Sequence, residues 1–362
     1  MSNSNESIST SQTVVAISSI IIGATLLILP RSVAEKIGTA DAWLTPVFGG
    51  IVMLIPAIFS AKLSQRFPGR TFFQFGQDIV GKVLAGLFTM MFIVYFSALG
   101  AYEMRTLTEV IQFALLENTP RWAISLIFLC AQLYLLVGGI NPVVRLLQAL
   151  VPISLLFLFG ALALSFKVFD LNNLRPIFGE GIMPFLKGIQ TVALPFSGFE
   201  SIMIVAAYMK QPQNAVKAVT LGVVIPTIVY TCTLIMVVGG LSIEGAAEKT
   251  WPTYSLIQSF EITGALFERF DILVLIIWVL QVFSTASLCH FYASLGISQL
   301  FGRKMTHCVY GLAPIIYIAN FLPHNLDELR KLGEWIGNAF LFLGVVLPII
   351  LFMISSIRRK PA

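Results

Sequence analysis

Long apolar runs separated by short polar punctuation set the pattern along these 362 residues. A run can cross a bilayer as a helix if it holds ~20 apolar residues, since the hydrocarbon is ~30 Å thick and each residue rises ~1.5 Å. Ten such spans are predicted, at about Thr13–Ile37, Trp43–Phe67, Lys82–Leu116, Arg121–Gly139, Val143–Phe166, Ile182–Tyr208, Ala215–Leu241, Asp271–Phe301, Met305–Phe321 and Trp335–Ile357. The third is too long for a perpendicular crossing and must tilt or emerge from the membrane. Two longer connections, Ser242–Phe270 and Leu322–Glu334, are partly apolar and are expected to lie on the protein as short helices. The first of these, placed before the eighth span, reads as a lid over an outer vestibule. The fold class expected is an all-α polytopic membrane protein. It has one transmembrane domain over residues 13–357, a polar N-terminus over 1–12 and a basic tail over 358–362.

Two spans are interrupted. The sixth carries Pro195-Phe196-Ser197-Gly198-Phe199-Glu200 at its middle. Proline removes a backbone donor and clashes with the preceding turn, and glycine loosens the turn after it. Unpaired backbone at membrane depth is tolerated only inside protein or beside a polar cavity. The first span carries Ile22-Gly23-Ala24-Thr25 near its centre, with Pro30 beyond. Spans one and six each open a block of five, so the second block (about 182–357) is inverted relative to the first (about 13–166). Paired interruptions in inverted halves point to a midplane site. There, half-helix N-termini offer N–H groups to a carboxylate and half-helix C-termini offer carbonyls to a cation. A zwitterionic amino acid meets both needs: its carboxylate near Gly23–Thr25, its ammonium near the carbonyls of Leu194–Ser197.

Other side chains fall in two groups. Tyr95, Leu99 and Tyr102 share one stripe of the third span, as plain core or as pocket wall. Beyond them stand Glu103, Arg105 and Glu109; Arg105 and Glu109 are spaced to pair locally, and the set reads either as an outer-vestibule network or as an interfacial anchor. In the eighth span, Gln281, Ser284, Thr285 and Ser287 interrupt an apolar helix. Their hydroxyls either bond the carbonyl four residues back or serve a pocket or ion site. Glu200, beside the sixth-span break, is a candidate proton carrier, with Ser284 as a candidate ion ligand.

Composition narrows the class. The chain is 57% hydrophobic and only 11% charged, against roughly 25% charged in soluble domains. The net charge of +5 does not point to nucleic acid, because the basic residues gather in short loops between spans. With the N-terminus in the cytoplasm, that side holds twelve basic residues against two acids, Glu6 and Asp78; the basic excess places both termini there. The first apolar run is too long for a signal-peptide core and is read as a retained helix. The four cysteines form no C-x-x-C pair, and the three histidines are too scattered for a metal site. No enzyme, cofactor or metal is expected.

The motifs resemble a known family. Gly23-Ala24-Thr25-Leu26-Leu27-Ile28-Leu29-Pro30 is similar to the first-helix signature of the B subunits of bacterial endospore germinant receptors. So are Asp170-Leu171-Asn172-Asn173-Leu174-Arg175-Pro176, Ser197-Gly198-Phe199-Glu200, Trp251-Pro252-Thr253-Tyr254-Ser255-Leu256 and Gln258-Ser259-Phe260-Glu261. The resemblance runs the length of the chain and lies within the amino acid–polyamine–organocation transporter superfamily. It implies a five-plus-five inverted-repeat fold with broken helices one and six, and a role in sensing nutrient germinants, chiefly amino acids, in the spore's inner membrane. Implied partners are an A subunit and a lipid-anchored C subunit. By motif position it implies a pocket of Gly23, Ala24, Thr25, Tyr95, Leu99, Pro195, Ser197, Gly198, Phe199 and Thr285, with Leu99 resting on the resemblance. Thr25 stands where many relatives carry a second glycine. The alternative function is a proton- or sodium-coupled amino-acid permease using the same site.

Overall fold

The computed structural model describes residues 7–179, 181, 188, 190–259 and 270–357. The start of the sixth span at Ile182, the residues Phe260, Glu261 and Glu268, and the tail 358–362 lie outside the described residues. The described chain is almost entirely helical; its β structure is one isolated parallel bridge, Ile8 with Met209.

The first span begins with Ser9, whose side chain accepts from the Gln12 backbone while the Gln12 side chain accepts from the Ser9 N–H. This reciprocal cap satisfies two donors that the first turn leaves unpaired. Helix α1 (Thr10–Ile22) stops at Gly23, and α2 (Thr25–Ile37) resumes bent by 47°. Helix α3 (Thr45–Gln65) comes next, then a short α4 (Phe72–Val80). Apolar run length does not predict α4, which is too short to span; Thr71 and Gln74 form its capping box, and Phe72, Phe75 and Ile79 supply its buried face. Beyond it lie α5 (Lys82–Ala114), α6 (Arg121–Val137) and α7 (Ile140–Leu164).

The sixth span, where described, is two single turns, α8 (Ala193–Phe196) and α9 (Ile202–Val205), separated by Ser197–Gly198 and a 3-10 turn. Helix α10 (Ala215–Glu248) runs past the expected end at Leu241 and kinks at Ser242, which has φ 63°. A short α11 (Pro252–Gln258) precedes α12 (Phe270–Phe301) and α13 (Met305–Ala319). Leu322–Glu334 is not a separate surface helix as expected. From Leu326 it belongs to α14 (Leu326–Phe340), which passes through a π-helical stretch, Leu341–Val346, into α15 (Leu347–Ile357). Asn325 caps α14 through the Glu328 N–H, so the expected short helix is the first part of a longer one.

Among the described residues, six helical stretches are long and apolar enough to cross a membrane, and the bent pair α1–α2 makes a seventh. The expected fourth, sixth and ninth spans are shorter apolar helices in the described residues: Arg121–Val137, Ala193–Tyr208 and Met305–Ala319. Exposed Ile51, Val94, Ile127, Leu156, Ile276 and Ile318 ring the outside. Such a surface suits lipid, and helices alone keep every backbone group paired there. This is an integral membrane protein.

Depth within the bundle differs by helix. Of an apolar 18-residue stretch of α12, 72% is buried, against 28% for that of Ile140–Val168. Helix α12 packs along α5, while α10 packs on α1 and α3, so the broken spans are enclosed by continuous helices.

Candidate functional site

The two breaks touch. Gly198 has φ 127°, and a Cβ there would lie 2.5 Å from the Ile20 Cγ2 and 3.3 Å from the Ile21 backbone nitrogen. Only glycine both adopts that backbone and admits such an approach. The Tyr230 hydroxyl of α10 binds the two breaks together. It donates to the Ile21 carbonyl, and it lies 3.2 Å from the Pro195 carbonyl and 2.6 Å from Thr25 Oγ1. Thr25 Oγ1 in turn reaches the Ile21 and Ile22 carbonyls at 3.2 and 3.3 Å. Carbonyls freed where α1 ends are therefore met by two hydroxyls, as a buried break requires.

Each break also carries a carboxylate on a backbone N–H. At the first, Ala24 donates to Glu103 Oε2 at 2.9 Å and to Oε1 at 3.3 Å. The carboxylate lies against Gly23, where a Cβ would come within 2.7 Å of Oε1. At the second, Gly198 donates to Glu200 Oε2 and Tyr95 OH donates to Glu200 Oε1, both at 2.8 Å. Glu103 and Glu200 are buried, at 1% and 0% exposure. Among the described residues neither has a cation within ion-pairing distance.

The residues singled out from sequence divide between the breaks and the helices around them. Gly23, Ala24 and Thr25 form the first break; Pro195, Ser197, Gly198 and Phe199 form the second. Ser197 Oγ donates to the Leu194 carbonyl at 2.7 Å, and Phe199 packs edge-on against Phe340, with ring centroids 5.1 Å apart. Thr285 meets the first span, its hydroxyl lying 3.1 Å from each of the Ser19 and Gln281 carbonyls and 3.0 Å from Ser19 Oγ. Ser284 instead bonds the Leu280 carbonyl of its own helix at 2.9 Å. Tyr95, Leu99 and Tyr102 are all buried along α5. The Leu194 carbonyl accepts from both the N–H and the hydroxyl of Ser197, and the Pro195 carbonyl lies 3.2 Å from the Tyr230 hydroxyl.

Glu103 parts from the neighbours it was grouped with. Arg105 pairs with Glu109 at 2.7 Å, and Arg121 reaches Glu109 at 3.3 Å. At roughly 100° per residue, 105 and 109 share a face while 103 points elsewhere, toward the first break. Sequence reasoning missed Tyr230, Trp278 and Ser19. Trp278 Nε1 donates to the Gly23 carbonyl at 3.3 Å. For Tyr230 and Trp278 a signal existed: a polar-tipped aromatic inside an apolar run needs a buried partner.

A cavity of about 340 Å³ opens onto these breaks. Thr25, Tyr102, Leu194 and Pro195 line it at the breaks, while Glu35 and Arg330 stand at the far ends of α2 and α14. Arg330 reaches Glu35 at 3.2 Å, and Arg31 reaches the same carboxylate at 2.7 Å. Ligand pockets span roughly 300–1,000 Å³, so this one suits a small molecule. The described residues of the connection expected to act as a lid do not line this cavity; one of them, Thr253, donates to the Leu26 carbonyl at 2.9 Å.

Known proteins share both the sequence and this architecture. A family model described as "Spore germination protein" matches residues 7–329. The chain belongs to the spore germination protein family. Spore germination protein YndE of Bacillus subtilis (strain 168) is 41% identical, over 98% of this chain and 97% of that protein. Spore germination protein A2 of the same organism is 30% identical, over 98% and 96%, and GerLB of Bacillus cereus is 27% identical, over 95% and 93%. Among solved structures, MhsT in complex with L-phenylalanine superposes with a TM-score of 0.75 at 12% identity, covering 98% of this chain and 90% of that one. That likeness establishes the fold: this spore germination protein has the inverted-repeat transporter architecture with broken helices one and six.

Proposed function

We propose that this chain is the germinant-sensing B subunit of a spore nutrient receptor, and that its ligand is a small amino acid held between the two breaks. One observation carries the reading most: a cavity of small-ligand size ends on Thr25 and Pro195, within the two breaks. Family membership supports the germination role, and the fold shared with a protein solved with L-phenylalanine supports an amino-acid ligand. The ligand passes from the cavity, past Tyr102 and Thr25, to the level of Gly23, Ala24, Tyr95, Leu99, Ser197, Gly198, Phe199 and Thr285. It acts by binding one conformation of the broken helices more tightly than the other, which is the only way a ligand shifts such an equilibrium. The shift is read by A and C subunits in the spore's inner membrane, with both termini of this chain on the cytoplasmic side. Ten crossings, over residues 13–357, complete the transmembrane domain.

The test is a panel of single L-amino acids on spores in which this chain replaces a related B subunit. A dose-dependent germination response transferred by the chain supports the reading, and a response unchanged by the replacement refutes it. Two buried carboxylates at membrane depth favour a second reading, a proton- or sodium-coupled permease in which Glu200 carries the proton or Ser284 helps hold the ion. Gradient-driven amino-acid accumulation in liposomes supports the permease; ligand binding without accumulation supports the sensor.

A further inference from the structure

We infer that Glu103 is the residue that recognises the ligand's amine. The inference rests on the amino-acid reading above and reverses the arrangement expected at the first break, where Glu103 rather than the ligand's carboxylate takes the Ala24 N–H. In the expected arrangement, the ammonium would meet carbonyls near Leu194–Ser197. The Leu194 carbonyl already accepts from both the N–H and the hydroxyl of Ser197, and the Pro195 carbonyl faces the Tyr230 hydroxyl at 3.2 Å. Glu103 has the opposite standing. Its carboxylate is buried and accepts one donor among the described residues, the Ala24 N–H. An ionised carboxylate has about four acceptor sites. Arg105, two residues away, is committed to Glu109.

The surroundings are shaped for this group. Gly23 leaves out the Cβ that would collide with the carboxylate. Both chain neighbours at the contact face open space: Tyr102, next to Glu103, and Thr25, next to Ala24, line the 340 Å³ cavity. Glu103 itself is buried and does not line the cavity, so a ligand coming through it reaches the carboxylate as Tyr102 and Thr25 give way. Its carboxylate alone would be repelled, since a second anion would enter a low-dielectric site without a counter-charge. A primary amine removes the repulsion by pairing with Glu103 through a charge-assisted hydrogen bond. Glu103 thus makes the site demand an amine and reject the same molecule with its amine blocked.

The test uses spores carrying this chain as the B subunit, each of the standard L-amino acids as probe, and the N-acetyl form of every active one. For the parental chain, free amino acids should act and their N-acetyl forms should not. Glu103→Gln keeps an oxygen for the Ala24 N–H but removes the charge. It should raise the half-maximal concentration by about tenfold or more and narrow the gap between free and N-acetylated probes. Glu103→Asp keeps the charge on a shorter arm and should retain the discrimination at weaker potency. If Glu103→Gln keeps the parental dose response, the inference is wrong while the amino-acid reading stands. If the parental chain answers to no amino acid, the amino-acid reading fails and takes the inference with it. Should Glu103→Gln not accumulate in the membrane, Glu103→Asp decides: lost discrimination there overturns the inference.

Discussion

Replacing Gly198 with alanine tests whether the two breaks need their close backbone approach. Two costs combine. A non-glycine residue at φ 127° leaves the well-populated backbone regions, which costs about 1–3 kcal/mol. The new methyl would also lie 2.5 Å from Ile20 Cγ2 and 2.9 Å from Ile20 Cβ, and overpacking of this kind costs about 1–3 kcal/mol. The sum is about 2–6 kcal/mol. Gly38→Ala is the matched control. Gly38 also has positive φ (68°), but nothing lies within 4 Å of its would-be Cβ, so only a backbone cost of about 1–2 kcal/mol remains. The assay is equilibrium unfolding of the detergent-purified chain, comparing both variants with the parent. Ile20→Ala in the Gly198→Ala background should restore part of the loss, because Cγ2 is gone while Cβ stays. The two changes should then be non-additive by more than about 0.5 kcal/mol. A Gly198→Ala chain as stable as Gly38→Ala, or strictly additive effects with Ile20→Ala, would refute the packing of break on break.

Tyr230→Phe removes the hydroxyl that donates to the Ile21 carbonyl and faces the Pro195 carbonyl, and should destabilise the chain by about 1–2 kcal/mol, the lower end for a buried unpaired group because membrane reference states find substitutes; unfolding titrations of the two proteins measure it. Ser197→Phe should abolish or retune the nutrient response by filling the space at the second break, and Thr285→Leu should do likewise by removing the hydroxyl shared with Ser19. A parental germination dose response in either variant would remove those residues from the site. Arg330→Gln breaks a half-exposed ion pair with Glu35, so its stability effect should stay below about 1 kcal/mol and vanish in high salt. A loss that persists in high salt would mean the pair is more than a surface contact.

How far the site can be read from the chain differs residue by residue. Both interruptions are local facts: Gly23 stops α1 and Pro195 to Gly198 breaks the sixth span because of what glycine and proline do to their own backbone. The bundle, the long third span and the pairing of Arg105 with Glu109 come from periods and spacings within one helix. Partners across helices do not. Glu103 meets Ala24 from 79 positions away and Tyr230 meets Thr25 from 205. Nothing in the third span separates Glu103 from its charged neighbours except the direction it faces once α5 is docked. The start of α14 likewise reads as a separate short helix, because its charged first turns lie outside the apolar run that begins near Trp335.

Apolar periodicity and the placement of glycine and proline were enough to set the membrane helices and to sever two of them, since both depend only on neighbouring backbone and on the cost of unpaired groups in lipid. Which groups close the severed ends was decided by the tertiary structure alone. A buried N–H or carbonyl takes whichever side chain the packing of distant helices delivers, and here that delivery put Glu103 on the first break, Tyr95 against Glu200 at the second and Tyr230 between them.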